Sequence, residues 1–275
     1  MADFALRAIT EDGAFRVMAV RTTDTVVRAS ELQGLSGESA RVFADLLTGT
    51  VLVRETMAPD LRVQGILQGS NGRSRMVADA HPQGATRGLA QGEGQLLGTG
   101  ALLQMMRTLH NGSLHQGVVE ACGSVSAALM QYMQVSEQVA CVVAVGSVAG
   151  QGGIVAAGGY LVQLLPELHA EVLSVMTERL GTFPSMAELL SRGTEPSEWL
   201  EALLVGMPHA RVGESTVRFE CGCSDMRVVT SLASLPKSDL EELVGGGKVL
   251  EIACDYCRKE YRVDPKTLRG LLVKN

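Results

Sequence analysis

Aromatic residues are scarce in this chain: one Trp, four Tyr and five Phe among 275 residues, 4% of the total. A core so poor in large rings must be assembled from Val, Leu, Ala and Met, and a 46% hydrophobic composition supplies enough of them. Runs of one charge are also missing. The net charge of −6 is dispersed, so nothing draws a polyanion from a distance, which argues against a nucleic-acid partner. The amino end, "MADFALRAIT", places Asp3 where a secretion signal carries positive charge, and no apolar run follows. A cytoplasmic protein is expected. The stretch 139–165 carries no charge over a length that could span a bilayer, but six glycines and two glutamines interrupt it. It reads as two buried strands, 139–145 and 154–163, joined by the turn "GQGG", and no membrane partner is expected. Catalytic signatures are absent as well. There is no Gly-x-Ser-x-Gly elbow and no phosphate loop, and "GEGQLLG" at 92–98 lacks dinucleotide spacing. The five histidines are scattered, with no motif around His110 or His115. The chain therefore reads as a non-enzyme with no catalytic residues.

Glycine, by contrast, is abundant, at 31 residues against a usual share of about 7%. It punctuates a series of short β-like runs, "LRVQGILQ", "RSRMVADA", "ATRGLAQ", "LLQMMRTL" and "HQGVVEA", close enough together to predict antiparallel hairpins. Residues 13–29 read as a strand pair about "TTDT". A helix is predicted over 36–57 with Ser36 as N-cap, and another over 124–138. Glu137 falls at the exposed end of the second, and the isolated Cys122 and Cys141 read as buried spectators in apolar surroundings. The fold class is α+β: residues 1–177 form an antiparallel sheet with covering helices. From 178 to 212 come two short helices, "PSMAELLSRG" capped by Ser185 and "TEPSEWLEALLVGM" capped by Thr194, the second holding Trp199. Helices this short are marginal alone, so they form either a hairpin fixed to its neighbour or a segment built to come loose.

Residues 213–275 hold four of the six cysteines, as Cys221-x-Cys223 and Cys254-x-x-Cys257. Two tight thiol pairs match what Zn²⁺ requires of a structural site, four soft ligands in a tetrahedron, and a zinc-binding domain is expected here. Between the pairs, "DLEELVGGGKVLEIAC" reads as a helix end, a Gly turn at 245–247 and a strand delivering Cys254. Metal-bound sulfurs are thiolates, the form that peroxide attacks, so oxidation would dismantle the site. Two other functions fit the cysteine pairs less well. A zinc-ribbon nucleic-acid binder needs a basic surface, and ten acidic against ten basic residues do not supply one. A thiol–disulfide oxidoreductase needs Cys-x-x-Cys to open a helix, whereas "RKEYRVD" follows it here.

The cysteine pattern, "CGCS" and then "CDYCRKEYRV", resembles the zinc centre of the redox-regulated 33 kDa chaperonins, the bacterial heat-shock protein 33 family. "QGATRGLA", "MQYMQVSEQ" and "AAGGYLVQLLP" resemble landmarks of that family's core domain. The chain departs from the pattern at "SDMRVV" after the first cysteine pair and at Leu89. The resemblance implies an ATP-independent holdase for unfolding and oxidatively damaged clients. It would be quiet when reduced, with one Zn²⁺ on Cys221, Cys223, Cys254 and Cys257. Oxidation would pair Cys221 with Cys223 and Cys254 with Cys257, with zinc release, unfolding of the C-terminal region and dimer formation. Residues 178–212 would be its thermolabile linker.

Overall fold

A computed structural model describes residues 2–166 and 170–274. The chain packs as two units, Met1–Glu220 and Cys221–Asn275. In the first, β1 (Phe4–Thr10) and β2 (Phe15–Arg21) precede α1 (Thr23–Gln33) and α2 (Gly37–Glu55). The strands β3 (Val63–Gln68), β4 (Arg75–Ala80), β5 (Ala85–Gln91), β6 (Leu102–Thr108) and β7 (Leu114–Glu120) follow, then α3 (Val125–Val135), β8 (Cys141–Gly150) and β9 (Gly153–Leu164). Three helices, α4 (Ala170–Thr182), α5 (Met186–Ser191) and α6 (Pro196–Leu203), lead to β10 (His209–Thr216) and β11 (Arg218–Phe219). The start expected for the zinc-binding part, residue 213, lies within β10.

The strands make two sheets, in the orders β10-β1-β2-β9-β8 and β11-β5-β4-β3-β6-β7. All pairings are antiparallel except the short β11–β5 contact. This is the expected α+β architecture. Helix α2 packs against β8 and β9 of one sheet and β3 and β4 of the other, and Phe43, Leu46, Leu47 and Leu52 are fully buried. From Val42 onward nearly every residue of the helix is buried, as expected of one enclosed between two sheets. The uncharged stretch 139–165 is the β8–β9 hairpin, and among the described residues no helix is long and apolar enough to cross a membrane.

The strand pair expected over 13–29 is corrected to one strand, β2, and a helix, α1. β-branched Thr23, Thr25, Val26 and Val27 favour strand locally, but Val26, Ala29 and Ser30 are buried at helical spacing. Asp3 starts the helix from a distance: its carboxylate accepts from the backbone N–H groups of Asp24 (3.1 Å) and Thr25 (2.7 Å). α5 and α6 form where expected. Ser185 caps α5 by accepting from Glu188 N–H at 3.3 Å. The cap of α6 is Glu195 rather than Thr194. Pro196 fixes the first turn, and the Thr194 hydroxyl instead accepts the Trp199 indole N–H at 2.8 Å. Both helices pack on the five-stranded sheet face opposite α2, with Met186, Trp199, Leu200 and Leu203 buried.

The second unit contains α7 (Asp225–Ala233), α8 (Lys237–Gly245), the hairpin β12 (Leu250–Ala253) and β13 (Glu260–Val263), and α9 (Pro265–Lys274). Its core is small: Leu232, Leu240, Tyr261, Val263 and Leu268 are buried, with half-buried side chains such as Val228 and Ile252 against Leu232, Val263 and Leu268.

Candidate metal centre

The first thiol pair lies in the irregular stretch that leads into α7, the second in a hairpin turn. Cys221 and Cys223 precede α7, whose N-cap Ser224 accepts from Arg227 N–H at 3.3 Å, while the Arg227 guanidinium donates to the Gly222 carbonyl at 2.8 Å. Those two bonds hold Gly222 between the sulfurs. Cys254 and Cys257 lie in the tip joining β12 to β13. Cys254 N–H donates to Lys259 C=O at 2.9 Å, and Arg258 N–H to Cys254 C=O at 2.8 Å. Arg258 takes a left-handed φ of 59° to close that turn.

All four sulfurs lie within 4.8 Å of one another. Between the pairs, Cys221 Sγ stands 3.7 Å from Cys254 Sγ and Cys223 Sγ 3.3 Å from Cys257 Sγ. Four sulfurs bound at about 2.3 Å in a tetrahedron stand about 3.8 Å apart, so the cluster has the right size for one ion. An all-thiolate set suits zinc among the divalent cations. The cluster could hold a metal ion, and the donor chemistry fits Zn²⁺. Burial raises the Cys223 thiol, but hydrogen bonding from Tyr261 and the neighbouring thiols outweighs it and brings the group down to about 7. Burial and the proton held toward Cys223 push Cys257 up to about 12, against the Lys259 N–H. The buried Tyr261 hydroxyl has no partner at full hydrogen-bonding geometry, yet lies close enough to the Cys223 sulfur to favour its thiolate. Lys259 Nζ stands 5.0 Å from the centroid of the Tyr261 ring, a cation against the π face.

The remaining candidates lie apart from this cluster. Cys122 is exposed, correcting its expected burial, with its sulfur 3.6 Å from a Glu120 carboxylate oxygen. Cys141 is half-buried, and burial pushes its thiol up to about 11. His110 is exposed near Asp60, and His115 lies 3.8 Å from Glu137. Glu137 is not an exposed helix end. Its side chain is 11% exposed and accepts from Arg107 Nε at 2.9 Å and from the Tyr132 hydroxyl. Sequence reasoning also passed over Asp79, a fully buried carboxylate ringed by Arg62 (2.5 Å), His81 (2.9 Å) and Arg87 (2.9 Å). Burial alone would raise Asp79, but the hydrogen bonds and charges of His81 and Arg62 hold it well below the usual carboxylate range.

Comparison with known proteins covers the whole arrangement. The family model described as Hsp33 protein matches residues 3–264. The 33 kDa chaperonin of Syntrophotalea carbinolica is 28% identical, over 99% of this chain and 100% of that protein. That of Thermus thermophilus is 29% identical, over 98% of this chain and 86% of that protein. The crystal structure of the 33 kDa chaperonin of Thermotoga maritima, a heat shock protein 33 homolog, shares 23% identity and the same fold. Its TM-score is 0.85, over 100% of this chain and 99% of that one. The family model spans both units and the cysteine cluster between its ends, and the chain belongs to the Hsp33 protein family.

Proposed function

We propose that this chain is a redox-regulated, ATP-independent chaperone, a holdase that keeps unfolding and oxidatively damaged proteins from aggregating. The observation that carries the reading is the convergence of four thiols in a unit with only a small core of its own. Cys221, Cys223, Cys254 and Cys257 would hold one Zn²⁺ in the reduced, quiet state. When bound, zinc supplies a cross-link of order 10 kcal/mol between the two turns, more than a unit of this size holds in reserve.

Hydrogen peroxide or hypochlorous acid would act on the thiolates. A thiolate takes one oxygen from peroxide and releases hydroxide. The sulfenic acid formed then condenses with a neighbouring thiol, expelling water and leaving a disulfide. Two such events, joining Cys221 to Cys223 and Cys254 to Cys257, consume all four donors. A bridge between residues two apart is sterically confined, which suits a labile switch better than a permanent staple. Without its cross-link the C-terminal unit, the switch portion within 213–275, unfolds. Residues 178–212 act as the linker that loosens with it: α5 and α6 have six and eight residues and depend on packing. The core of 1–177 remains folded, two chains associate, and apolar surface becomes available to clients. The protein acts in the cytoplasm, with no nucleic-acid or membrane partner and no catalysis.

The coupling is tested by treating the zinc-loaded chain with peroxide while following metal release colorimetrically and mapping disulfides by peptide mass. Two bridges, each within a cysteine pair and appearing together with the metal, are expected. Bridges that form while zinc stays bound would remove the switch.

A further inference from the structure

One buried polar atom of the C-terminal unit is not satisfied by the fold itself. Tyr261 stands on β13 opposite Ile252 of β12 and is 3% exposed. Its hydroxyl is buried and has no partner at full hydrogen-bonding geometry. Leaving such a group unpaired is costly, so its position calls for an acceptor. The hairpin that carries Tyr261 holds Cys254 and Cys257 in its tip, yet the sulfur that the hydroxyl approaches is Cys223, from the pair that precedes α7. Tyr261 thus reaches from one thiol pair to the other. The other groups around the Cys223 sulfur are thiols, Cys257 at 3.3 Å with Cys221 and Cys254 beside it. The exposed Lys259 places its Nζ 5.0 Å from the centroid of the Tyr261 ring. A cation on the ring face draws electron density from the phenol oxygen and makes its O–H a stronger donor.

We infer that Tyr261 is a positioning residue of the metal centre: its hydroxyl donates to the Cys223 sulfur, ties the two thiol pairs together and restrains that sulfur's attack on oxidant. The inference rests on the zinc site of the proposed function. Sulfurs that bind a metal are thiolates, and each keeps lone pairs that a phenol O–H can engage. Oxidation by peroxide begins when a sulfur lone pair forms an S–O bond while the O–O bond breaks and hydroxide leaves. A lone pair held by an O–H lies lower in energy and is less available for that step. The same donor fixes the orientation of the ligand, as outer partners of zinc ligands do. Tyr261 therefore sets both how firmly the metal is held and how readily oxidant releases it, and Lys259 acts on both through the ring.

The test uses the full-length chain and Tyr261→Phe, which keeps the ring and deletes the O–H. With cobalt(II) in the site, the sulfur-to-cobalt charge-transfer band should move to lower energy in the variant, because the lone pair it starts from is raised. A change in packing alone would leave the band in place. With zinc, chelator competition should show about tenfold weaker binding, and dilute peroxide should release the metal several-fold faster than from wild type. Should Tyr261→Phe fail to take up metal, Lys259→Gln, which keeps the hydroxyl and removes the cation, is read in the same three assays. Smaller shifts in the same directions, with the wild-type band restored by Lys259→Arg, support the assignment, and no shift overturns it. An unchanged band in metal-loaded Tyr261→Phe overturns the assignment even where wild type switches as proposed. Wild type that keeps its zinc under peroxide overturns the switch, and with it the restraint on oxidation. The band and the affinity need no oxidant, and they then decide the hydrogen bond alone.

Discussion

Asp79 is a buried carboxylate and Asp45 a half-buried one in opposite surroundings, and they should move stability with pH in opposite directions. Asp79 is held low by His81, Arg62 and Arg87, which outweigh its burial. Its folded value lies below its unfolded one, so its contribution is present above the unfolded value and fades as pH falls through the folded one. Asp79→Asn should cost about 3 kcal/mol at neutral pH, because the arginines lose their buried counter-charge. The gap from wild type should narrow in strong acid, as followed by urea unfolding. Asp45 on α2 is pushed up to about 7 by burial, with the Ser147 hydroxyl at 3.4 Å only partly opposing it. Here the folded value is the higher one. The stabilising share is complete below about pH 4 and is lost as pH rises through about 7. Asp45→Asn should therefore melt higher than wild type at alkaline pH and level with it in acid. Neither site is visible in the sequence, since both are assembled from residues on different strands or helices. The cysteines were legible because their spacing within each pair is itself the ligand geometry. Cys223→Ser should leave three thiolates and lose tight zinc binding by chelator competition; normal affinity would exclude Cys223 from the ligand set.

Among the elements, strands bounded by glycine turns were readable, because alternation and turn residues are local signals. α1 was not. Its β-branched residues favour strand, while the group that satisfies its first N–H donors, Asp3, lies about twenty residues earlier on β1's approach. Capping across such a separation leaves no local signature. The start of α6 was misplaced by one residue for a related reason, since Thr194 is engaged by the Trp199 indole. Glu137 was misjudged because its partner Arg107 comes from β6, thirty residues away in sequence. For α5, the cap is local and its worth can be measured. Ser185→Ala removes the bond to Glu188 N–H, at about 1 kcal/mol. Since α5 is only six residues long, the 178–212 segment of this variant should be cut sooner by protease in the reduced state. An unchanged cleavage rate would mean that packing alone holds the helix.

The chain divides into a unit with an extensive core and a unit with a small one. Removing zinc with a chelator under reducing conditions should abolish the calorimetric transition of 221–275 and leave that of the larger unit, a consequence of where the stabilising free energy resides. Loss of both transitions together would mean that the units fold as one. The central claim is that oxidation turns this chain from a quiet protein into a holdase. Light scattering from a heat-unfolding client enzyme tests it most directly, with the zinc-loaded chain added either reduced or after peroxide treatment at elevated temperature. Suppression of scattering by the oxidised chain alone is the predicted result; equal suppression in both states, or none in either, would contradict it.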